Sequence, residues 1–522
     1  MARTVKTLQA AVNIIVTLKF AIVQLMTIAL LVTFALMLLE LGLWLPGAGR
    51  RSTAAALIAS LLLPASVWLA VTITNPFTAL FVFVAIYRGI NLWRYAQQRR
   101  QPDHLYSLTR RASWWLFAAQ IVSLVLLVTA SRLTLQFGLY VVVGIGLVGS
   151  LIITRAAQHN LKKTRPAQLT ALAANDLPTL SVLIPARDET DDLSQCLQSL
   201  IASTYPKLEI IVLDDCSQNK RTPEIIKGFA HDGVRFIAGT ATPKNWLAKN
   251  FAYQQLEAVA SGDILLFCGV DTRFQPETLE LMVCELVQSH KTMVSFLPAN
   301  SVPGRWEFLS LLVRPSQYAW ELALPRRALE RPPVLSVAWI INHAVLRASG
   351  GFAAAPRAAT PERVFARFAA AHDDGYSFRQ SETGRGVVSV NSSLEQRETA
   401  LRTRYPQLHQ SLELTALTTL TELLILVVPF VIYTTTLLGH NWLLFYTADI
   451  TCILLISTYA QIAKITYRRF LFRSLWLLPF AAVYDIGLLN YSMYKYEFSS
   501  VEWKGRNICI PIMQVIEHLP KG

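Results

Sequence analysis

Three clusters of acidic residues follow short apolar runs, and they are the groups in this chain best suited to chemistry. LSVLIP ends at Pro185 and leads into Arg187, Asp188 and Glu189. EIIVL leads into Asp214 and Asp215, and DILLFCGV leads into Asp271. Carboxylates gathered in one crevice suit a nucleotide held with a divalent metal, Mg or Mn, because hard cations take carboxylate and phosphate oxygens. Lys249, shortly after Trp246, reads on its own as an exposed surface lysine, the alternative being the point charge that a diphosphate takes. The plainer alternative for any one of these acids is a solvated loop.

Each run is rich in Val, Ile and Leu and ends in polar residues. That is the pattern of a buried parallel strand with its loop at the carboxyl end. Helical patterns at 192–202 and 250–260 separate the strands. The alternation predicts an open α/β sheet over 179–276. Such sheets bind ligands just beyond the carboxyl ends of their strands, where the acidic clusters fall. Residues 305–325 predict an amphipathic interface helix, an acceptor-groove wall or plain core. Residues 334–346 predict a further strand and turn.

Five stretches in order resemble one family. SVLIPARDE, VLDDCSQ, NWLAKNFA, ASGGF and VEWKGR are similar to motifs of membrane-bound family-2 glycosyltransferases with the GT-A fold. The group most resembled glycosylates carotenoids and hopanoid-type lipids. The resemblance implies an α/β GT-A domain, Rossmann-like, inserted between N- and C-terminal transmembrane helix bundles. It implies that Pro185, Arg187, Glu189, Asp214, Asp215, Lys249, Lys504 and Arg506 bind the nucleotide-sugar. It puts the metal at Asp271, in the position of the second acid of a D-x-D motif. Here the sequence departs from the pattern, since Gly269 replaces the first acid, Ala248 a glycine and Asp188 an asparagine. Magnesium often keeps only one or two protein carboxylates, so Asp271 with the diphosphate and water is an adequate set. For the general base the resemblance implies Glu362, in Pro361-Glu362 after Gly350-Gly351-Phe352, with Asp373 and Asp374 as fallbacks. A carboxylate in the first turn of a helix is favourable in any case. The Q-x-x-R-W signature of processive synthases is missing from Gln317-Tyr318-Ala319-Trp320, which favours one sugar per acceptor.

Composition narrows the class. The chain has 522 residues, of which 53% are hydrophobic and 16% charged. Its mean hydropathy of +0.38 is too high for a soluble enzyme. The net charge is +14, but Lys and Arg cluster beside apolar runs, so membrane lipids rather than nucleic acid are the expected partner. Six cysteines show no metal spacing and fit a reduced compartment. The first apolar stretch is too long for a cleaved signal.

Apolar runs at 20–44, 53–74, 77–92, 114–131 and 135–153 are candidate spans, each judged against the roughly 20 residues a bilayer needs. The third is the shortest. Arginines and lysines fill the loops after the first, third and fifth, so the basic loops and the α/β domain are expected to be cytoplasmic. The expected domains are a transmembrane region of about five helices at 1–165, a linker at 166–178, the GT-A domain at 179–410 and a transmembrane or interfacial region at 411–522. Three further runs, 414–438, 442–462 and 475–491, create a parity conflict. Three spans would put Lys504 and Arg506 outside, away from a cytoplasmic nucleotide, so one run does not cross. Glu422 with Pro429 in the first and Asp485 in the last mark these two as the candidates. Arg397, Arg402 and Arg404 read as interfacial.

The expected function is transfer of a sugar from a nucleotide-sugar donor, a UDP-hexose, to a lipid or isoprenoid hydroxyl at the cytoplasmic face of the plasma membrane. The family implies inverting single displacement. Two alternatives stand beside it: a polysaccharide or polyprenyl-phosphate sugar transferase, and an impaired homologue that binds nucleotide as a membrane scaffold.

Overall fold

The computed structural model describes residues 58, 62, 135–166, 169–170, 172–301, 308–323, 332–372, 375–382, 384–408, 410, 412–437, 441–468, 472 and 474–508. Apart from two residues, the first four candidate spans lie outside the described residues, as do Asp373 and Asp374. The chain divides into two compact units, Met1–Val142 with Ser411–Ala416, and Val143–Gln410 with Leu417–Gly522. Of the first, the described residues are 58, 62, 135–142 and 412–416. The cavity of the candidate site lies wholly in the second.

Helix α1 (Leu135–Lys163) leads into strand β1 (Leu180–Ala186), α2 (Asp191–Ile201), β2 (Leu208–Asp214), α3 (Arg221–Gly228) and β3 (Val234–Ala238). Then come α4 (Ala248–Val259), β4 (Ile264–Cys268), β5 (Thr272–Arg273), α5 (Thr278–Gln288), β6 (Met293–Leu297) and β7 (Ala299–Asn300). Residues 305–325, read as an interface helix, a groove wall or core, hold α6 (Phe308–Ala323), whose Leu312, Tyr318 and Leu322 are buried in core clusters. Helix α6 is followed by β8 (Ala338–Asn342), α7 (His343–Ala348), α8 (Glu362–Ala371), β9 (Tyr376–Gln380), β10 (Val388–Ser389) and α9 (Ser393–Gln407). The last elements are α10 (Leu412–Glu422), α11 (Val428–Thr436), α12 (Trp442–Tyr467), α13 (Ser474–Phe498), and the strands β11 (Glu502–Trp503) and β12 (Arg506–Asn507).

The main sheet has seven strands in the order β3-β2-β1-β4-β8-β6-β9. β1 pairs in parallel with β2, Ala186 opposite Asp214, and with β4, Leu183 opposite Phe267. The three acidic loops therefore leave neighbouring strands at one edge, as the sequence predicts. The sheet is not wholly parallel: β8 runs antiparallel to both β4 and β6. Apolar side chains of α2 and α5, including Leu193, Leu197 and Val283, cover one face. The other face carries an aromatic core. Phe267 and Trp339 stack with centroids 4.2 Å apart, and Tyr253 stacks on Phe352 at 5.4 Å. Phe352 of the G-G-F turn is thus a core anchor. Gly351 has φ +57, which favours glycine, and a Cβ there would crowd Glu257 Oε2 at 3.2 Å.

Among the described residues three helices are long and apolar enough to cross a membrane: Val142–Lys163, Leu414–Thr436 and Trp442–Tyr467. The third C-terminal run, in α13, is not one of them. Trp476, Phe480, Val483, Tyr491 and Tyr494 stand exposed along one side of α13, while Asp485 on the other side pairs with the buried Arg404 of α9. Arg404 is therefore not an interfacial cation.

Candidate active site

A cavity of about 1010 Å³ lies over the carboxyl ends of β1, β2 and β4. Its wall includes Pro185, Glu189, Lys249, Asp271, Lys504 and Arg506, six of the residues singled out in the sequence. The β11–β12 hairpin closes one side, and α6 and α9 contribute Arg314, Gln317 and Arg402.

The loops after β1 and β2 are fixed to each other. Asp188 sits at φ +52, a conformation that Asp and Asn tolerate better than other side chains. Its Oδ1 accepts the N–H groups of Gln218 at 2.7 Å and Asn219 at 2.8 Å. Arg187 does not line the cavity. Its buried guanidinium donates to the carbonyls of Asp215 and Cys216, both at 2.7 Å. Asp214 also turns away, accepting the Ser217 N–H at 3.2 Å.

The hairpin docks on these loops. Lys504 Nζ donates to the Arg187 carbonyl at 2.8 Å and pairs with Glu189. Arg506 Nη1 donates to Asp215 Oδ2 at 2.6 Å. Burial pushes the Asp215 carboxyl up, and the Arg506 and Arg187 cations hold it back in part. Burial lowers the Lys504 ammonium to about 8, with the Asp188 carboxylate working against that fall. The Arg402 guanidinium lies 5.2 Å from the Trp503 ring centroid, within cation–π range. Of the basic stretch before the membrane only Arg397 is exposed; Arg402 faces the cavity, contrary to the interfacial reading.

Helix α4 connects the two halves of the site. Asn250, in NWLAKN, donates through Nδ2 to the carbonyls of Ala355 at 3.0 Å and Ala358 at 2.9 Å. It thereby holds the loop that runs from the G-G-F turn to Glu362. Lys249 Nζ lies 5.6 Å from the Tyr253 ring centroid. Burial lowers its ammonium, and the Glu362 carboxylate acts the other way. Glu362 is 2% exposed and begins α8. Burial pushes its carboxyl up, with the Lys249 cation pulling it back. Glu362 does not itself line the cavity, although Thr360 does.

Asp271 stands on the cavity wall with Oδ1 turned toward Gly269, where a Cβ would lie only 2.3 Å away. Among the described residues no group of three or more His, Cys, Asp or Glu could hold a metal by itself. The donors present suit a hard cation that takes its remaining oxygens from a diphosphate and water. Sequence reading missed Asn250, Arg314, Arg402 and Trp503 as site residues. For Arg314 a signal existed, since an arginine in the apolar stretch FLSLLVRPSQY is unusual unless paired or functional.

Residues 181–348 match the family model "Glycosyl transferase family 2". "Glycosyltransferase AglE" of Haloferax volcanii is 32% identical over 108 residues, which is 20% of this chain and 34% of that protein. A 4,4'-diaponeurosporenoate glycosyltransferase of Staphylococcus haemolyticus is 28% identical over 172 residues, 32% of this chain and 43% of that protein. The chain thus matches less than half the length of either relative. A mannosyltransferase from Pyrobaculum calidifontis, solved with GDP-Man and Mn²⁺, superposes with a TM-score of 0.42 at 17% identity, over 69% of this chain and 99% of that one. That likeness is too distant to bear on this chain's donor or metal. With the strand order and the cavity at the sheet edge, the matched segment identifies residues 181–348 as a glycosyltransferase family 2 domain.

Proposed function

We propose that this chain is a membrane glycosyltransferase moving a sugar from a nucleotide-sugar donor, a UDP-hexose, to a lipid or isoprenoid hydroxyl at the cytoplasmic face. One observation carries the reading. Lys249, Lys504 and Arg506 line the same cavity, and the buried Glu362 begins a helix behind its wall, close enough for its charge to act on Lys249. Transfer needs a charged leaving group neutralised, a proton removed and the reactants aligned.

The three cations face a diphosphate, and the loops fixed by Asp188 and Arg187 align the nucleoside beside Asp215. Glu362 takes the proton of the acceptor hydroxyl. The freed oxygen attacks the anomeric carbon from the side opposite the diphosphate, which departs with inversion. A divalent cation at Asp271, when bound, would add charge neutralisation at the leaving diphosphate.

Two candidate spans in the C-terminal region, rather than three, bring Lys504 and Arg506 back to the side of the catalytic domain. The exposed aromatic face of α13 suits the headgroup layer. The single carboxylate beside Gly269 favours the nucleotide-binding scaffold as rival.

The test is purification in detergent and a screen of nucleotide sugars for release of nucleoside diphosphate, with lipid extract and with or without Mn²⁺. Release that depends on both donor and extract is expected. Nucleotide binding without turnover of any donor would select the scaffold.

A further inference from the structure

Arg314 is 2% exposed, lines the cavity, and has two nitrogens, Nε and Nη2, that are shielded from water and have no hydrogen-bond partner. Nη1 donates to Gln317 Oε1 at 3.2 Å, and the guanidinium lies 6.0 Å from the Tyr318 ring centroid. The two unpartnered nitrogens are the pair whose N–H bonds run side by side, the fork that grips a carboxylate or phosphate through two parallel bonds. A buried guanidinium with its fork unfilled is costly. Such a cost is offset when a ligand supplies the partner.

The position of Arg314 points to the kind of ligand. Its neighbour Leu312 packs with Leu455 and Tyr459 of α12 and with Leu477, Leu478 and Ala481 of α13. Val313 packs with Leu488 of α13. Helix α6 thus meets α12 and α13 through the two residues before Arg314, and the cavity through Arg314 itself. The strand-end side of the cavity already has Lys249, Lys504 and Arg506 for a diphosphate.

We infer that Arg314 is the docking group for an amphiphilic acceptor whose head carries an oxyanion, a carboxylate or a phosphate ester. The inference rests on the glycosyltransferase reading for the word acceptor, but its test reads binding and needs no sugar transfer.

Full-length protein in phosphatidylcholine nanodiscs is titrated with farnesol, farnesoic acid and farnesyl phosphate, with quenching of tryptophan fluorescence as the readout. The two anionic probes should bind more tightly than farnesol by about 10- to 100-fold, the range of a charge-assisted hydrogen-bonded pair. Arg314→Gln should remove the preference, and Arg314→Lys, which keeps the charge but not the fork, should retain part of it. UDP affinity should be unchanged in both variants. Melting temperature in the absence of probe should fall little in Arg314→Gln, because the fork that it removes has no partner and only the Nη1 bond to Gln317 is lost.

Four results overturn the inference. One is equal binding of the three probes. Another is a preference that survives Arg314→Gln. A third is UDP affinity lost along with it, which would give the fork to the donor. The fourth is a preference abolished by adding phosphatidylglycerol to the nanodiscs, which would give it to a bilayer lipid. Binding as expected without sugar transfer would overturn the enzymatic reading alone.

Discussion

A base that must accept a proton works best when its pKa approaches the operating pH, and burial moves Glu362 in that direction. Only the ionised form can act, so kcat/KM should fall as pH drops through a limb lying above the ordinary glutamate value. Glu362→Gln should lower turnover by roughly 10²–10⁴ and erase the limb while leaving UDP binding nearly intact. Lys249→Met removes the cation that holds Glu362 down, so the limb should move to higher pH. Stability follows with a definite sign. A carboxyl whose folded pKa exceeds its unfolded pKa binds more protons when folded, so stability falls as pH rises through the interval between them. Above that interval Glu362→Gln should melt higher than the parent protein. A Gln variant with unchanged turnover would remove Glu362 from the mechanism. At the other end of the cavity, Asp271→Asn should abolish Mn²⁺-dependent nucleotide binding. Gly269→Asp obliges only the tip of Asp271 to rotate, so it should fold and bind Mn²⁺ more tightly. An unaltered Mn²⁺ response in both variants would show that no metal binds here.

Elements rather than single residues decide how the cations reach the cavity. The β11–β12 hairpin is held by Lys504 on Glu189 and by Arg506 on Asp215. Arg506→Ala leaves Asp215 buried without its charged donor. UDP affinity measured by calorimetry should drop by about tenfold or more, the scale of a lost hydrogen bond to a charged group. Helix α13 is anchored in a similar way, with both Arg404 and Asp485 buried. Arg404→Met should cost about 3–5 kcal/mol, as breaking a buried pair does, and Asp485→Leu in the same chain should recover part of the loss. These elements also show what the sequence could reveal. The first strands and their acidic ends were legible because buried parallel strands are continuous apolar runs. The antiparallel course of β8 was not, because a short apolar run carries no direction. Arg402 and Arg404 are two positions apart, so on a helix they face different ways. One enters the cavity and the other meets Asp485, 81 positions along the chain. Nothing local in the sequence says which.

For the whole molecule the testable quantity is sidedness. Helices α10 to α12 leave the catalytic domain and return to it, since Asn300 Nδ2 donates to the carbonyl of Thr466 near the end of α12 at 3.4 Å. Cysteines introduced at His290 and Ser499, both exposed, should resist a membrane-impermeant maleimide in intact cells and react after permeabilisation. A cysteine at Leu437, exposed just after α11, should react in intact cells. Labelling of Ser499 from outside would restore the third span and separate the hairpin from the site. The parity conflict could not be decided from the sequence because Glu422 and Asp485 both count against crossing. The partner of Asp485 on α9 explains its charge without placing it in lipid.

The hairpin also has a consequence for how the protein is made. Lys504 bonds to a residue 317 positions earlier, and Arg506 to one 291 positions earlier. Helices α10 to α13 are synthesised between these partners. The strand-end side of the cavity is therefore incomplete on a nascent chain until those helices have been made and folded back. Chains stalled before the C-terminal helices are complete would carry a formed sheet but lack Lys504 and Arg506, two of the cations of the cavity wall. Pulse-labelled chains released before residue 500 should fold a protease-resistant α/β core yet fail to be retained on immobilised UDP.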